Sequence, residues 1–450
     1  MATIYIQTTG SATNSGSTDQ DAANLSGAAA TVSTNVVSLD GSPDLSGIIT
    51  SGPTQSSIYL NDATNSQQKI FWITAADDTA KTVTVSVAPT GITSSAWTIG
   101  GRLIWTQSAL GNTLRPGDTI IINDDIASAS GKTIDNLPVS GTGTGGFITI
   151  KGKTGVRPKI TSTGNGQRVV EQSSADHYWF ENLELINSGT GDNGGALVVN
   201  SNHNIFYNIK ITDSGGAGFF NENGLNSYIK CEASGCALAG FKISNNHGNF
   251  VNCYSHDNVG DGFRYDSTPR ANLINCIFES NTGFGVWFET SPGTIFLSAL
   301  LHGLTVYNNA AGGISAAHVN NGHVLINSVL DSNGDAGGEY NFNWPTNAFE
   351  LVGFHAHNVF YDGGAGDNLN NLTADAQVPS SEFTTNPALV DPANANFIPG
   401  VSGSAYGVAS NPSATTTPGE GDIGAIQGLK VSPSGGGIAK HAGFGGGLVG

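Results

Sequence analysis

The chain has 450 residues, of which 62 are glycine and only 12% are charged; glycine is about twice as frequent, and charge about half as frequent, as in an average protein. Its 17 basic and 35 acidic residues give a formal net charge of −18, which argues against nucleic acid or an anionic membrane as a partner because both attract clustered lysine and arginine. No apolar run approaches the ~20 residues of a membrane span, and the start MATIYIQTTG lacks the charged and apolar regions of a secretion signal.

The first 105 residues are predicted to form a separate β domain. Three segments alternate between apolar and polar residues, namely IYLND, KIFWITAADD and KTVTVSVA. An alternation with period two is typical of strands with one buried face. Because the open end of a stacked β structure needs a cap, we expect residues 1–105 to cap the domain that follows and to dock it onto a partner.

A repeat of about 22 residues dominates the middle of the chain. Six glycines, each followed by a short apolar strand, recur at intervals of 22 to 28 residues: Gly195, Gly218, Gly240, Gly262, Gly285 and Gly313. Each unit holds two or three strands that are too short for helices, separated by turns rich in Asp, Asn, Ser and Gly. Such a unit is typical of one coil of a parallel β-helix.

The spacing of the cysteines fits the same repeat. Cys231, Cys253 and Cys276 are 22 and 23 residues apart, and none of the four cysteines has CxxC metal-binding spacing. Since successive coils stack about 4.8 Å apart, equivalent side chains form ladders. We therefore predict one inward ladder of free thiols, each preceded by a polar residue, which fits a chain made in a reducing compartment.

The coil pattern extends on both sides of this region. The segments LRPGDTIII (114–122) and GFITIKG (146–152) continue it upstream, and FHAHNVFYDG (354–363) continues it downstream. At about 23 residues a coil, residues 114–363 correspond to about eleven coils. We therefore predict an all-β chain with a parallel β-helix over residues 106–365. A loop-rich segment with a Gly-rich tail over residues 366–450 is expected to cap its end.

These repeats resemble those of the right-handed parallel β-helix, or pectate-lyase-like, superfamily. WTIGGRL followed by LRPGDTIII is similar to the strand that opens such helices, and NPALVDP followed by GDIGAIQ to a segment that folds back on their last coils. The match covers residues 97–428 and is most similar to members of phage tail-spike type. It implies a right-handed β-helix, but this fold hosts lyases, hydrolases, epimerases, tail spikes and purely structural rods.

An exposed sheet face carries the candidate site. In the strand after each glycine, the second and fourth residues point outward. The first outward row is predicted to be Phe220, Lys242, Arg264 and Trp287, and the second Glu222, Ser244, Asp266 and Glu289. Asp266 and Glu289, about 5 Å apart on adjacent coils, are the candidate catalytic carboxylates of a glycosidase. Their like charges would keep one of them protonated, although Arg264 would partly offset this effect.

Four residues around that pair are candidate glycan contacts. Lys242 and Arg264 can bind an acidic sugar, Trp287 can stack on a sugar ring, and Glu222 lies two coils from Asp266 in the same row. The alternative is a solvated face on which these charges simply offset one another. The sequence lacks the Asp pairs and Arg motifs of the lyases and galacturonases that share this fold. The resemblance therefore favours no standard pectin enzyme.

Three other patterns are interpreted as structural. Asp176 and His177 adjoin a strand, where neighbours point to opposite faces, and they are therefore assigned to a turn and strand start. His355 and His357 share a face but have no third ligand. The turn 257–261, DNVGD, offers oxygen ligands for Ca²⁺ but lacks the EF-hand spacing, which favours ordinary turn chemistry. We therefore predict no metal site and no cofactor.

These observations favour a structural phage virion protein of tail-spike, fibre or capsid-surface type that binds a host surface polysaccharide as receptor. The alternatives are a polysaccharide lyase or glycoside hydrolase acting on the exposed face, and a bacterial surface protein of adhesin type. The expected partners are other virion proteins and host polysaccharide, without nucleic acid or membrane insertion. We expect a homo-oligomer, a trimer by resemblance to phage spikes, that resides in the virion after synthesis in the host cytoplasm or is otherwise extracellular.

Overall fold

The described part of the chain consists of strands, turns and loops. The computed structural model describes residues 3–11, 17–18, 24–52, 54–62, 67–100, 114–128, 134–135, 137, 139–162, 168–187, 195–244, 247–266, 270–289, 299–317, 323–334, 339–343, 354–356, 358–361, 367–370, 389–391 and 396–399. Among these residues, no helix has the length and hydropathy of a membrane span.

A closed antiparallel barrel forms the N-terminal domain. Its strands are β2 (Leu25–Ser33), β3 (Val36–Leu39), β4 (Ser57–Asp62), β5 (Gln67–Asp77), β6 (Thr82–Val85) and β7 (Ser94–Ile99), paired in the order β2-β3-β6-β5-β4-β7. The barrel has its own apolar core, in which the buried Trp97 indole donates a hydrogen bond to Asp40 Oδ1 at 2.7 Å. The three alternating segments of the sequence form β4, β5 and β6, which confirms the predicted separate β domain.

The rest of the described chain winds into a parallel β-helix with three sheets. Sheet 1 contains β1 (Thr3–Ser11), β8 (Thr119–Ile122), β11 (Ile148–Gly152), β14 (Tyr178–Glu181), β17 (Ile205–Tyr207), β20 (Asn226–Ile229), β23 (His247–Val251), β26 (Arg270–Ile274), β29 (Ala299–His302), β32 (His323–Ile326) and β35 (Phe354–Ala356). Sheet 2 contains β9 (Ile126–Ser128), β12 (Lys159–Ser162), β15 (Glu184–Asn187), β18 (Lys210–Thr212), β21 (Glu232–Ser234), β24 (Tyr254–His256), β27 (Ile277–Glu279), β30 (Thr305–Tyr307), β33 (Val329–Asp331) and β36 (Val359–Tyr361). Sheet 3 contains β10 (Ile134–Asp135), β13 (Val170–Gln172), β16 (Gly195–Asn200), β19 (Ala217–Asn223), β22 (Phe241–Ile243), β25 (Phe263–Asp266), β28 (Phe284–Glu289), β31 (Gly312–Ala316), β34 (Tyr340–Asn343) and β37 (Asp367–Asn370).

Each coil contributes one strand to every sheet. Sheets 2 and 3 have ten strands each, so the described chain forms ten coils where the repeat predicted about eleven. One apolar core runs through the coils, with aromatic rings stacked along its axis. The ring centroids of Phe206 and Tyr228 are 5.0 Å apart, and those of Tyr228 and Phe250 are 4.6 Å apart. The predicted all-β fold with a parallel β-helix is confirmed.

The strand β1 covers the N-terminal end of the β-helix. It pairs in parallel with β8, and Ile4 and Ile6 are buried in register with Ile120 and Ile122. The first strand of the chain therefore belongs to the β-helix, and its predicted place in the N-terminal domain at residues 1–105 is wrong. The barrel is an insertion between β1 and β8, and the alternation of β1 alone could not reveal so distant a partner.

The barrel packs directly against this end of the β-helix. The barrel side chains Tyr59, Ile70 and Trp72 join the apolar core of the coils. Arg115, in the segment that opens the β-helix, lies 5.1 Å from the centroid of the Trp72 ring and donates a hydrogen bond to Gln55 Oε1 at 3.0 Å. An apolar contact, a cation–π contact and a hydrogen bond thus join the two domains.

The predicted cysteine ladder is confirmed. Cys231, Cys253 and Cys276 are free and buried, and each thiol lies 3.3 Å from a backbone carbonyl oxygen of the preceding coil, to which it donates a hydrogen bond. The polar residues before them are left-handed, with φ between 52° and 56°: Lys230, Asn252 and Asn275. Burial raises the pKa of the Cys253 thiol well above its ordinary value, which suppresses the reactive thiolate.

A ladder of buried asparagines follows the strands of sheet 2. In Asn258, Asn281, Asn309 and Asn333 the side-chain Nδ2 donates a hydrogen bond to Oδ1 of the next asparagine at 2.7 to 2.8 Å, and the ladder ends at Asn341. The backbone N–H of each of these four residues donates to the same Oδ1 atom. The ladder thus satisfies buried amides that would otherwise destabilise the core, and it fixes the register of successive coils.

A break in this ladder should be far more destabilising than the loss of an exposed asparagine pair. We expect Asn281→Ala to lower the free energy of unfolding by about 2 kcal/mol or more, because it removes the acceptor of the buried Asn258 backbone N–H and a donor to Asn309 Oδ1. The matched control is Asn272→Ala, which removes an exposed 2.8 Å hydrogen bond to Asn249 and should cost less than about 0.5 kcal/mol. Urea unfolding followed by tryptophan fluorescence measures both, and equal losses would contradict the role of the ladder.

Candidate functional site

The outward rows on sheet 3 have the register that the sequence predicts, except that Ser244 is buried where it was predicted to point outward. The first row runs, in directly paired positions, through Phe220, Lys242, Arg264 and Trp287. In the second row Asp266 pairs with Glu289, while Ser244 is buried and Glu222 is half-buried at the end of β19. The alternation holds because the residues between them, such as Phe263 and Tyr265, fill the core. The strands of β19, β22, β25 and β28 therefore bring the predicted site residues onto one face.

Each carboxylate of the predicted catalytic pair is bonded to a cation on the preceding coil. Lys242 Nζ lies 2.9 Å from Asp266 Oδ2, and the guanidinium of Arg264 forms an ion pair with Glu289. Each of the two carboxylates therefore has its own cation. The prediction that one of them stays protonated rested instead on the repulsion between two like charges. The side chains are 24 to 42% exposed, so these ion pairs contribute little to stability and remain accessible to a ligand.

Aromatic rings lie at both ends of the ion-paired rows. The Trp287 indole stacks on the Phe284 ring with centroids 4.6 Å apart and planes at 10°. At the other end, Lys242 Nζ lies 4.9 Å from the centroid of the Phe220 ring. Both rings on the first row are half-buried. The face thus combines aromatic surfaces with ionic hydrogen-bonding groups over three coil spacings, or about 14 Å.

A buried carboxyl group that the sequence analysis missed lies beside the pair. Asp261 is 7% exposed, and its Oδ2 lies 3.9 Å from Arg264 Nη1. Its Oδ1 accepts a hydrogen bond from the Phe284 backbone N–H at 2.9 Å. Burial raises the pKa of Asp261 to about 6, an effect that the Phe284 N–H and Arg264 oppose and the charge of Glu289 reinforces. This group can therefore gain or lose a proton near neutral pH.

A sequence signal for Asp261 existed in the repeat. The residue before the glycine is Ala217 in β19's coil, Ala239 in the next, Asp261 in the third and Phe284 in the fourth. A carboxylate at a position that neighbouring coils fill with apolar residues is a carboxylate forced into the core, where its charged form is disfavoured. From the sequence alone, Asp261 was predicted only as part of a polar turn.

Sheet 2 carries a second polar network, but part of its outer face is covered. Glu232 lies 2.7 Å from Lys210 Nζ and 3.4 Å from His256 Nε2. Burial alone would raise the pKa of Glu232, but hydrogen bonds from His256 and Lys210 outweigh it and hold the pKa at about 2. Leu389, in the antiparallel hairpin β38 (Leu389–Asp391) and β39 (Asn396–Pro399), packs against Ile277 beside this network. Sheet 3 is therefore the better candidate for a binding face.

The turn 257–261 does not gather oxygen ligands. Asp257 is bonded to the His256 imidazole at 2.7 Å, Asn258 belongs to the buried asparagine ladder, and Asp261 faces Arg264. These separate partners support the interpretation as ordinary turn chemistry. The side chain of His355 and the whole of His357 lie outside the described residues.

The prediction for Asp176 and His177 is half right. Both lie in the turn before β14, as expected. However, their side chains do not point to opposite faces, because His177 has a φ of 62° and strand alternation applies only to extended residues. Their ligand atoms and one from His203 all lie within 4.8 Å of one another, so these three residues form a group of potential metal ligands that the sequence did not indicate.

Comparisons with known proteins support the fold. A family model described as "Right handed beta helix region" matches residues 125–299 and 226–350, together half of the chain. The crystal structure of pectate lyase Pel9A is similar with a TM-score of 0.55 and 15% identity over 73% of this chain and 91% of that one. No curated protein sequence matches. The predicted right-handed β-helix of pectate-lyase-like type is thereby confirmed as a fold.

Two further solved structures show weaker likeness. A rhamnogalacturonan lyase has a TM-score of 0.46 and 15% identity, covering 57% of this chain and 83% of its own. The tailspike protein gp49 from Pseudomonas phage LKA1 has a TM-score of 0.18 and 11% identity, covering 79% of this chain and 64% of its own. At these scores neither supports an argument about function.

The opposite pKa shifts of Asp261 and Glu232 predict opposite pH dependences of stability. The folded-state pKa of Asp261 is raised from 3.8 to about 6, so the wild type loses stability as pH rises through this window. Asp261→Asn lacks that loss, and its free energy of unfolding relative to wild type should rise between about pH 3.5 and about pH 7.5 by up to about 3 kcal/mol.

Glu232→Gln is the control of opposite sign. The pKa of Glu232 is lowered from 4.5 to about 2, so its carboxylate stabilises the fold above the unfolded-state pKa and this contribution fades as pH falls. Glu232→Gln should therefore be more destabilising at the higher of the two pH values. Urea unfolding of both variants at each pH makes the comparison, and slopes of the same sign would refute the assignment of Asp261 as a buried acid.

Proposed function

Because the chain belongs to the right-handed β-helix family, we propose that it is a β-helical rod that binds a polysaccharide across the outer face of sheet 3. We further propose that it does so as a surface component of a phage particle, of tail-spike, fibre or capsid-surface type. The observation that supports glycan binding is the continuous row on four consecutive coils that joins aromatic rings to ion-paired side chains. A repeating surface of this kind suits a repeating polymer.

The chemistry of the row favours sugars over other polymers. Aromatic faces such as that of Trp287 present apolar area with a fixed geometry, on which the C–H face of a sugar ring can stack. The ion-paired Lys242, Asp266, Arg264 and Glu289 present donors and acceptors for hydroxyl groups. Their formal charges cancel, and the chain as a whole has a net charge of −18. We therefore propose a neutral or weakly acidic glycan, since a strongly anionic polymer would be repelled.

The two-domain architecture supports a role on a particle. Ten described coils form a rod about 50 Å long, and the barrel packs on its N-terminal end through Trp72 and Arg115. We propose that the barrel docks on other virion proteins while the coils project towards host polysaccharide, in a homo-oligomer that is a trimer as in related spikes. Four free and buried thiols suit assembly in the host cytoplasm. A bacterial surface protein of adhesin type would use the same glycan-binding face.

With polygalacturonate and alginate as strongly anionic controls that should be repelled, glycan binding is tested on a panel of purified bacterial capsular polysaccharides and O-antigens. We expect the wild type to bind at least one of them and Trp287→Ala to bind it at least about fivefold more weakly, because a stacked ring contributes about 1 kcal/mol. Trp179→Ala is the matched control, since Trp179 is an equally half-buried indole on sheet 1. Failure to bind any polysaccharide, or equal losses in both variants, would contradict a glycan site on sheet 3.

The same samples test the second candidate function, cleavage of the bound glycan as a lyase or hydrolase. The raised pKa of Asp261, beside Arg264 and Glu289, favours it because a general acid or base works best with a pKa near the working pH. If size-exclusion chromatography shows that the wild type shortens the glycan, Asp261→Asn should abolish shortening and preserve binding. Activity lost instead in Asp266→Asn and Glu289→Gln would assign catalysis to the pair predicted from the sequence.

Particle attachment is tested by deletion of the barrel alone. A variant in which a short Gly-Ser linker replaces residues 24–100 keeps β1 on the first coil, and we expect it to keep the β-helix but to be absent from particles produced from a genome that carries the deletion. Removal of residues 1–105 should instead cause aggregation, because it uncovers the edge of β8 with the buried Ile120 and Ile122. Normal incorporation without the barrel would show that attachment lies elsewhere in the chain.

A further inference from the structure

Three potential metal ligands lie together where the chain passes from sheet 3 to sheet 1. Asp176 and His177 come from the turn before β14, and His203 comes from the equivalent turn of the next coil. One ligand atom from each, a carboxylate oxygen and two imidazole nitrogens, lies within 4.8 Å of the others. The cluster lies in the turns before β14 and β17, outside the ion-paired rows of sheet 3, and its chemistry is independent of the proposed function.

The coil repeat brings the two imidazoles together. His177 donates its backbone N–H to the Asn202 carbonyl, which places it directly below His203. Both histidines are left-handed, with φ of 62° and 59°, so their side chains leave the backbone in the same direction. The rings stack with centroids 4.8 Å apart and planes at 21°. One coil spacing thus sets the separation of the two nitrogen ligands.

The backbone around the cluster is held by bonds on both sides. Asp176 Oδ1 accepts a hydrogen bond from the Asn202 N–H at 2.7 Å, and the Asp176 N–H donates to Ser140 Oγ at 3.1 Å. The His203 N–H donates to the Leu225 carbonyl at 2.7 Å. Such bonds to a carboxylate and its neighbours orient metal ligands in known sites. Within the described part of the chain, neither imidazole has a side-chain hydrogen bond, and the ring nitrogens are available as ligands.

We propose that Asp176, His177 and His203 bind a divalent transition metal ion, and that Zn²⁺ is the ion that fits them best. Two imidazoles and one carboxylate are a donor set that zinc accepts, at about 2.0–2.2 Å from the metal. Ca²⁺ and Mg²⁺ prefer oxygen ligands and do not fit it. Ligand atoms around a tetrahedral zinc lie about 3.3 Å apart, so rotations of these partly exposed side chains close the site. The exposed side of His203 leaves a fourth position for water.

A metal at this position would link two successive coils near the N-terminal end of the β-helix. Asp176 and His177 belong to one coil and His203 to the next, so the ion would oppose separation of their turns. Phe147, on the preceding coil, lies against the His177 ring with centroids 5.7 Å apart and limits its movement on that side. We therefore expect the metal to raise the stability of the folded chain through mass action.

Isothermal titration of the full chain with ZnCl₂ tests the site, on protein purified without a histidine tag and dialysed against EDTA. We expect one ion per chain at this site and binding at least about tenfold weaker in His203→Gln and in Asp176→Asn. The matched control is His247→Gln, which alters an exposed histidine two coils after His203 in the same row and should leave binding unchanged. Zn²⁺ should raise the melting temperature of the wild type and of the control, but not of His203→Gln.

The melting temperature without metal distinguishes the loss of a metal ligand from damage to the fold. His203 is exposed, so His203→Gln should melt at the wild-type temperature in EDTA, and its loss of Zn²⁺ binding then reports the missing ligand and not a damaged fold. An excess of Ca²⁺ should not displace Zn²⁺ from the wild type. The proposal is overturned if the wild type binds no Zn²⁺ at a free concentration of about 100 μM, which is about 100 times a dissociation constant of about 1 μM. It is also overturned if His203→Gln binds Zn²⁺ as tightly as the wild type.

Discussion

Every coil must place its backbone about 4.8 Å from the previous one, and this single spacing decides which side chains meet. A buried amide can be satisfied by an identical amide one coil away, as in Asn281 and Asn309 with a 2.8 Å hydrogen bond. Aromatic rings at the same spacing stack, as Tyr228 and Phe250 do. The core thus depends on similar residues at equivalent positions of successive coils. This is why the sequence repeats by residue type and not by identical residues.

The same spacing is unfavourable for like charges, and the outer face of sheet 3 shows how the chain accommodates them. Lys242 and Arg264 are direct neighbours in one row, and Asp266 and Glu289 in the next. Diagonal ion pairs between the rows neutralise both conflicts. Asp261 lies inside these rows, where burial outweighs the attraction of Arg264 and raises its pKa to about 6. A titratable group near neutral pH therefore arises from placing a carboxylate at a core position of the repeat.

Local periodicity made most of the fold predictable, and departures from it account for the rest. The strands, the cysteine ladder and the register of the outward rows follow from a repeat visible within 22 residues. The pairing of β1 with β8 spans the whole barrel, so no local pattern encodes it. The grouping of His177 with His203 was missed because strand alternation was applied to Asp176 and the left-handed His177, and His203 was not considered. The available signal was that the two histidines occupy equivalent positions on successive coils, just before β14 and β17.

The three sheets offer unequal surfaces to a long ligand. On sheet 2, Leu389 of the C-terminal hairpin packs over Ile277, between Tyr254 and Tyr307, and interrupts the face midway along the coils. The barrel occupies the N-terminal end through Trp72 and Arg115. A polymer that lies along the axis needs several consecutive coils with accessible side chains, and the outer face of sheet 3 provides them between β19 and β28. The C-terminal hairpin thus leaves the outer face of sheet 3, with its aromatic rings, ion pairs and Asp261, more accessible than that of sheet 2 to the glycan that we propose.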